Sequence, residues 1–364
     1  MNILLMIHSL GHGGSERQLA NTALGLDRSR FKPYVASVLE GFQADALRRA
    51  GIPVFHVPLT SFVRPSVVSV ARLVRSYIQD NRIQLVHTFD HTLSLLGVPV
   101  ARTCPGVTVL SSQRFYMDLV PRKFRGPLVM THRMAHGIVA NCEEMKRHLR
   151  ESYAYPAERI QVCYNGIDTS RFHFFPDRIR LPGMEDASLI VGTVCVLRPE
   201  KNLGHLLEAF ARVRQLRPGM KLLIVGSGPE REGLVARAAV LGIADACVFQ
   251  PSTADVPTAM RAIDIFVHPS LTEGLPNGVM EAMACGCTVV ASRVGGCPEL
   301  IDEGRTGFLF RAGDLDDLTR SLTAAIMADE ARGCIAAAAA ERMKGFSIAR
   351  AAARMQEIYD SFLG

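Results

Sequence analysis

Short apolar runs rich in β-branched residues alternate along this chain with longer segments of helical period, and this alternation constrains the fold more than any other feature. In the longer segments, apolar residues recur at the spacing of an amphipathic helix. Strands that are nearly continuous in apolar residues indicate parallel sheets, which helices cover on both faces. The sequence therefore predicts an α/β protein built from doubly wound parallel sheets.

The pattern also predicts two domains. It lapses between about residues 165 and 188, where turn residues and prolines follow one another without a period. A chain of 364 residues is long for one core and normally splits. We expect Rossmann-like domains at 1–170 and 189–346, joined by a linker at 171–188. The predicted strands are NILLMIH, KPYVASVL, PVFHVP, IQLVHTF, GVTVLSS and GIVANC in the first half, then IVGTVCVL, KLLIVG, CVFQP, IDIFVHPS and CTVVASR.

Composition favours a cytoplasmic protein. No apolar run approaches the roughly 20 residues that span a bilayer. The opening MNILLMIHSL has no basic region before it, so it indicates a first strand and not a signal peptide. The nine cysteines are scattered without a CxxC pair, which fits reduced thiols and neither a disulfide framework nor a zinc site.

Positive charge is concentrated in the first half. Residues 1–185 hold 23 Lys and Arg against 14 Asp and Glu, a net charge of +9, whereas 186–364 carry −3. Basic and apolar residues interleave most densely at 121–136, PRKFRGPLVMTHRMAH. Such a stretch is either a solvated surface helix or a contact with an anionic membrane surface or acceptor. Nucleic acid is less favoured, because no recognised binding motif accompanies the charge.

One loop points to a bound phosphate. In EGLPNGVME, Glu273 and Glu281 flank a glycine-proline loop that follows a predicted strand and precedes a predicted helix. A helix N-terminus after such a loop presents backbone N–H groups to an anion. Each glutamate alone could be a solvated or dipole-complementing residue. Together they predict carboxylates that accept hydrogen bonds from hydroxyls on either side of a phosphate, as in a nucleotide sugar.

Other strand-end loops offer further candidates. Arg198 and Lys201 stand at a turn and are spaced to clamp a diphosphate. The two glycines of VGSG match a dinucleotide fingerprint only weakly, because its third glycine is missing. His87 and His91 end a first-domain strand, where a histidine is more often structural. A DxD triplet at 314–316 is explained as a helix cap, so we expect no metal site.

The segment SLTEGLPNGVMEAMACGCTVVASRVGGCPELIDEGRTGFLF resembles the hallmark of retaining GT-B glycosyltransferases of family 4 (group 1): Glu, seven residues, Glu, followed by Gly-Gly-x-x-Glu. GGSERQL, YNGIDTSRF, LRPEKN and VGSGPERE agree in order, so the resemblance spans nearly the whole chain. It implies two domains that face each other across a cleft, with acceptor bound by the first and donor by the second. It also implies that a helix at about 347–364 packs back onto the first domain.

The resemblance implies roles for individual residues. Arg198, Lys201 and Glu273 are the candidate catalytic residues, the first two neutralising the leaving diphosphate and Glu273 contacting the donor sugar. Glu281 is expected to bind the ribose. The remaining donor-binding candidates are Gly13, Gly14, Gly226, Gly228, Phe249, Gly274, Leu275, Pro276 and Asn277.

The chain departs from the family pattern at two places. Val196 stands where many members carry arginine, so Arg198 is expected to take that role. Gln113 and Arg114 stand where many carry a histidine that contacts the donor sugar. With His91, these two are the acceptor-side candidates, and the change indicates a different donor or acceptor.

These expectations define an enzyme that transfers a hexose-type sugar from a UDP-, GDP- or ADP-sugar to a hydroxyl acceptor, with retention and without metal or other cofactor. The acceptor is expected to be a glycan or a lipid-linked molecule in bacterial glycan, polysaccharide or glycolipid synthesis. The N-terminal domain is expected to contact the inner face of the membrane. The alternatives are a nucleotide-sugar epimerase of the same fold, an NAD-dependent oxidoreductase and a catalytically silent partner subunit.

Overall fold

The computed structural model describes residues 1–11 and 13–363, and it divides them into two compact units. Unit 1 contains the described residues up to Gly166 together with the segment that begins at Ile348. Unit 2 is Ile167–Ser347. The chain therefore leaves unit 1, forms unit 2 and returns.

Unit 1 is built on one sheet in which all the pairings are parallel. Within the described residues its strand order is β3-β2-β1-β4-β5-β6-β7. The strands are β1 Asn2–Ser9, β2 Lys32–Leu39, β3 Val54–His56, β4 Leu85–Thr88, β5 Thr108–Gln113, β6 Gly137–Ala140 and β7 Ile160–Val162. The helices are α1 Gly14–Gly25, α2 Phe42–Arg49, α3 Ser66–Asp80, α4 His91–Arg102, α5 Arg122–Met134 and α6 Glu143–Tyr153, with α14 Ile348–Leu363 after unit 2.

The segment after unit 2 completes the core of unit 1, because α14 is amphipathic and buries one face. Met355, Ile358 and Tyr359 lie in the same apolar cluster as the buried side chains of β1 and α1. The ring of Tyr359 meets the ring of Phe31 edge to face at 6.3 Å between centroids. Near the helix end, Phe362 packs so closely over Gly137 that a Cβ there would lie 2.3 Å from the ring.

Unit 2 repeats the same winding in a second parallel sheet of order β10-β9-β8-β11-β12-β13. Its strands are β8 Leu189–Val194, β9 Met220–Val225, β10 Cys247–Gln250, β11 Ile265–His268, β12 Thr288–Ser292 and β13 Phe308–Phe310. Its helices are α7 Leu203–Val213, α8 Arg231–Val240, α9 Val256–Ala262, α10 Asn277–Ala284, α11 Cys297–Leu300, α12 Leu315–Met327 and α13 Asp329–Met343. The strand order reverses between β8 and β11, and ligands of such sheets bind at the carboxyl ends of the strands beside that reversal.

The structure confirms the predicted fold class, with two doubly wound parallel sheets. The sequence patterns missed β7 and β13, which are three residues long and carry too short a run to stand out. Residues 171–188, predicted as a linker, belong to unit 2. The reason is packing: Phe172 and Met184 are buried, and Arg178 donates to the backbone oxygen of Gly286 at the end of α10.

Two other expectations concern the whole chain. All nine cysteines lie among the described residues and are free thiols. Within that part of the chain, the longest apolar helices fall short of what is needed to cross a bilayer.

Candidate functional site

The loops that follow β8 and β11 lie on the two sides of the strand-order reversal in unit 2. After β8 the chain enters a 3₁₀ turn, Pro199–Lys201, and Asn202 then takes a left-handed conformation with φ 51°, which asparagine tolerates. The loop after β11 is joined to this turn by the backbone N–H of Leu271, which donates to the carbonyl oxygen of Glu200 at 2.8 Å. The two loops are therefore held together by the backbone itself.

Lys201 and Glu273 meet at this junction. The ammonium of Lys201 donates to Oε1 of Glu273, and both side chains are mostly buried. His268, the last residue of β11, approaches the same oxygen with Nε2 at 3.0 Å. Glu273 thus receives two donors on one carboxylate oxygen.

The electrostatics of this cluster keep Glu273 ionised. Burial by itself raises the pKa of a carboxyl group, but the hydrogen bond and charge of His268 and the charge of Lys201 outweigh it and lower the pKa of Glu273 to about 2. Burial likewise opposes the charged form of Lys201, yet the carboxylate of Glu273 raises the pKa of its ammonium. Neither group exchanges a proton readily near neutral pH, so the pair works through charge and hydrogen bonding.

Arg198 differs from Lys201 in its surroundings. Its side chain is 60% exposed, and its nearest ionic partner is Oε1 of Glu200 at 3.8 Å. The exposed guanidinium is available to a ligand at this loop. Val196, two residues earlier, is also exposed.

The predicted loop between the two glutamates is confirmed as a strand–loop–helix connection in which α10 begins at Asn277 and Pro276 is its N-cap. Gly274, Leu275 and Pro276 form the turn before it. Glu281 lies within α10 with only 5% of its surface exposed. The two carboxylates therefore stand at the two ends of the loop, one before the helix and one inside it.

The Gly-Gly pair of the second hallmark stretch packs directly on this loop. Gly295 has φ 50°, and a Cβ there would lie 2.2 Å from the carbonyl oxygen of Glu273. The next residue, Gly296, donates its N–H to the carbonyl oxygen of Gly274 at 2.7 Å. These contacts fix the backbone from which Glu273 projects, and only glycine fits at residue 295.

Gly226 and Gly228, after β9, are placed by backbone packing. A Cβ at Gly226 would lie 1.9 Å from the carbonyl oxygen of Cys195, and one at Gly228 would lie 2.3 Å from that of Leu197. These glycines let the loop after β9 press against the loop that carries Arg198. Phe249 lies on the neighbouring strand β10, partly buried against the core of the unit.

Of the unit 1 candidates, Gly13 is the N-cap of α1 and Gly14 is its first residue. The preceding loop also contains His12, which lies outside the described residues. His91 opens α4 at the carboxyl end of β4. Its Nδ1 is buried without a hydrogen-bond partner in the described parts of the chain, and burial lowers the pKa of the ring.

Gln113 and Arg114 are occupied by internal contacts. The amide of Gln113 donates to the backbone oxygen of Phe115 and bonds Nε2 of His132 at 2.8 Å through Oε1. The buried guanidinium of Arg114 donates to Asn165, and its carbon lies 5.6 Å from the ring of Phe89. The structure thus explains both side chains by packing, and an acceptor role for them stays a prediction.

The structural reading of His87 is supported by its surroundings. It is fully buried in unit 1, with Nδ1 2.9 Å from the hydroxyl of Tyr359 and Nε2 2.8 Å from that of Ser112. Burial lowers its pKa to about 3, so the ring is neutral near neutral pH.

Sequence reasoning missed His268. Its signal was present, since FVHPS places a histidine at the end of a buried strand just before the loop of interest. His87 carries the same signal but is enclosed within unit 1, so a position at a strand end does not by itself place a histidine at the candidate site. The described residues contain no group of three or more His, Cys, Asp or Glu side chains arranged to hold a metal ion.

Two family models match this chain. A model described as "Glycosyltransferase Family 4" matches residues 12–171, and one described as "Glycosyl transferases group 1" matches residues 188–327. The first match contains β2 to β7 of the sheet in unit 1, and the second contains every strand of the sheet in unit 2.

Curated relatives carry transferase and synthase names. A D-inositol 3-phosphate glycosyltransferase of Segniliparus rotundus is 32% identical over 228 residues, which are 59% of this chain and 50% of that protein. An N-acetyl-alpha-D-glucosaminyl L-malate synthase of Bacillus anthracis is 27% identical over 288 residues, which are 78% of this chain and 68% of that protein. The chain spans about half the length of the first of these relatives.

A solved structure agrees in fold. Anabaena HepE in complex with UDP matches with a TM-score of 0.84 at 24% identity, covering 99% of this chain and 100% of that one. At that identity the likeness speaks for the fold alone, which is the GT-B fold of two Rossmann-like units.

Proposed function

Since this chain belongs to glycosyltransferase family 4 (group 1), we propose that it transfers a hexose-type sugar from a nucleoside diphosphate sugar to a hydroxyl acceptor. One observation carries the proposal: two loops beside the strand-order reversal of unit 2 bring a buried Lys201–Glu273 pair next to the start of α10. A cation, a carboxylate and a helix N-terminus are the groups that a sugar linked to a diphosphate requires.

The donor is proposed to lie along these loops. The cationic groups of Arg198 and Lys201 neutralise the diphosphate, while Glu273 accepts hydrogen bonds from sugar hydroxyls and Glu281 from the ribose. The exposure of Arg198, and the position of Glu281 in the helix that follows the loop, support this division. The described donor candidates that remain are Gly13, Gly14, Gly226, Gly228, Phe249 and the turn from Gly274 to Asn277.

We infer that the anomeric configuration is retained. The acceptor oxygen forms a bond to C1 as the bond from C1 to the phosphate oxygen breaks, and the departing phosphate takes the proton of the acceptor hydroxyl on the same face. The largest contribution of the protein is charge stabilisation of the leaving diphosphate. With a pKa of about 2, Glu273 stays ionised and does not serve as the acid.

This mechanism has two direct tests. Proton NMR of the newly formed product, before it equilibrates, should show the anomeric configuration of the donor. Mass spectrometry of the enzyme quenched during turnover should find no sugar attached to Glu273. An inverted product, or a covalent sugar on that residue, contradicts the mechanism.

The acceptor is proposed to be a glycan or a lipid-linked molecule, with unit 1 in contact with an anionic membrane. Helix α5 supports this contact: Met130 and Met134 are 57% and 40% exposed, and they lie among the exposed basic residues Arg122, Lys123 and Arg133. Exposed apolar side chains between cations suit the boundary between lipid headgroups and acyl chains. This would place the enzyme in the cytoplasm at the inner face of the membrane.

Sedimentation with vesicles tests the membrane contact. The protein should pellet with vesicles that contain phosphatidylglycerol and much less with pure phosphatidylcholine, and Met130→Asp should reduce pelleting. Val240→Asp is the matched control, because Val240 is an apolar residue that is 86% exposed and belongs to α8 of unit 2, not to the basic helix. Equal pelleting with both lipids, or an equal effect of the two substitutions on pelleting, would contradict the proposed membrane contact.

Thermal-shift screening tests the donor. A ligand at 100 times its Kd stabilises the folded state by about 2.7 kcal/mol. One of the UDP-, GDP- or ADP-sugars should raise the melting temperature without added magnesium, and Glu281→Gln should weaken the shift. If no nucleotide sugar produces a shift, with or without magnesium, the transferase proposal fails. Conversion of the sugar without an acceptor would instead identify an epimerase.

A further inference from the structure

We propose that His268 is a positioning residue, which orients the carboxylate of Glu273 toward the donor sugar by hydrogen bonding to one of its two oxygens. The inference rests on the proposed function, because it assigns a task to a residue next to the proposed donor site. His268 itself does not contact the donor on this proposal. It acts through Glu273.

The first support is the placement of the imidazole. His268 ends β11, the central strand beside the reversal, and only 4% of its surface is exposed. Its ring lies nearly parallel to that of the fully buried Phe266, with 12° between the planes and 6.5 Å between centroids. A ring anchored in a rigid strand fixes its nitrogen in space more firmly than a loop residue does.

The second support is the pattern of donors on the carboxylate. Nε2 of His268 and the ammonium of Lys201 both reach Oε1 of Glu273. Neither of these two donors is bonded to Oε2. One oxygen is therefore anchored, and the other is left to accept from a hydroxyl group.

The third support is the different mobility of the two anchors. Lys201 has a flexible stem, and its charge is also the one proposed to meet the diphosphate. When the ammonium of Lys201 turns toward the phosphate, it is shared between the phosphate and Glu273 and holds the carboxylate less firmly. His268 has no such second task, so the carboxylate keeps its orientation while the donor binds and while the phosphate departs.

The test compares His268→Leu with His268→Gln. Leucine has a similar volume and no donor, whereas the amide nitrogen of glutamine can take the place of Nε2. A hydrogen bond to a charged group contributes about 1.5–3 kcal/mol, or roughly 10-fold to 150-fold. We expect kcat/KM for the donor to fall by about that factor in His268→Leu and to recover to within about threefold of wild type in His268→Gln. The KM for the acceptor should stay unchanged in both variants.

A double-mutant cycle separates positioning from general packing. In a Glu273→Ala background the side chain that His268 orients is absent, so His268→Leu should lower the remaining kcat/KM by less than about threefold. A packing role predicts the same loss in both backgrounds. The melting temperature of every variant is measured by circular dichroism to show that it is folded. If His268→Leu does not fold, His268→Met takes its place.

The outcomes distinguish the inference from the function it rests on. If the wild-type protein neither binds nor transfers from any nucleotide sugar, the proposed function fails. If wild type transfers sugar and a folded His268→Leu or His268→Met variant matches it, the inference alone is overturned. It is also overturned if the loss is equal in the Glu273→Ala background, or if folded His268→Gln shows no recovery.

Discussion

The substitution Gly295→Ala should disturb the donor loop through the backbone alone. Gly295 has φ 50°, and the new Cβ would lie 2.2 Å from the carbonyl oxygen of Glu273 and 2.3 Å from that of Gly274. A left-handed conformation costs an alanine about 1–2 kcal/mol. Relieving the overlap costs a further 1–3 kcal/mol, since both neighbours are backbone atoms and not the ends of flexible side chains. The total is about 2–5 kcal/mol.

A matched control separates these two contributions. Gly304, in the same unit, has φ 72°, and a Cβ there would meet open space. Gly304→Ala should therefore carry only the conformational part, about 1–2 kcal/mol. The difference between the two variants measures the collision with the loop of Glu273.

Thermal unfolding followed by far-ultraviolet circular dichroism is the suitable assay, because the chain contains no tryptophan for a fluorescence measurement. For a unit of this size each kcal/mol shifts the melting temperature by about 2–4 °C. Gly295→Ala should melt well below Gly304→Ala and should also raise the KM for the donor. If the two variants melt together and bind donor equally, the packing of Gly295 on the loop does not matter and the reasoning is refuted.

Three further predictions concern single side chains. Arg198→Ala should lower kcat by a factor of about 10²–10³. Its melting temperature should stay unchanged, because the Arg198 side chain is 60% exposed. The control Arg212→Ala, on the exposed face of α7, should change neither kcat nor the melting temperature. Ionised Glu273 stabilises the folded state above the usual carboxyl pKa of 4.5, and this stabilisation is lost as the pH falls toward the folded pKa of about 2. The difference in melting temperature between wild type and Glu273→Gln should therefore shrink between pH 5 and pH 2.5. A constant difference would contradict the lowered pKa of Glu273. Tyr359→Phe should lower the unfolding free energy of unit 1 by about 1–3 kcal/mol, because Nδ1 of buried His87 loses its 2.9 Å partner; an unchanged denaturation midpoint would contradict this.

The fold was predictable because each strand and each covering helix carries its own periodic signal. KPYVASVL marks β2 at the bounds that the structure has. β13 escaped because three residues, FLF, are too few to show a period. The start of unit 2 was predicted too late in the chain for another reason. Arg178 and Met184 belong to unit 2 through tertiary contacts, whereas their local sequence is typical of a linker.

The sequence indicated which loops form the candidate site, but it did not indicate which side chains contact one another there. The positions of Glu273 and Glu281 around a glycine-proline turn indicated a ligand from residue types alone. That Lys201 pairs with Glu273 across 72 positions follows from strand order, which no local pattern contains. The same applies to Gln113: it was a candidate because it stands where many family members carry a histidine, and its amide oxygen bonds His132 inside unit 1.

The return of the chain into unit 1 has a consequence for how the protein is made. Unit 2 is one continuous stretch, Ile167–Ser347, so a nascent chain holds all of it before α14 has left the ribosome. Unit 1 at that moment lacks Met355, Ile358 and Tyr359, and the apolar surface around Phe31 is still uncovered. Domains commonly complete their folding from the N-terminus onward during synthesis. Here the order is reversed: the later unit can finish first, while the apolar core of the earlier one stays incomplete until α14 packs against it.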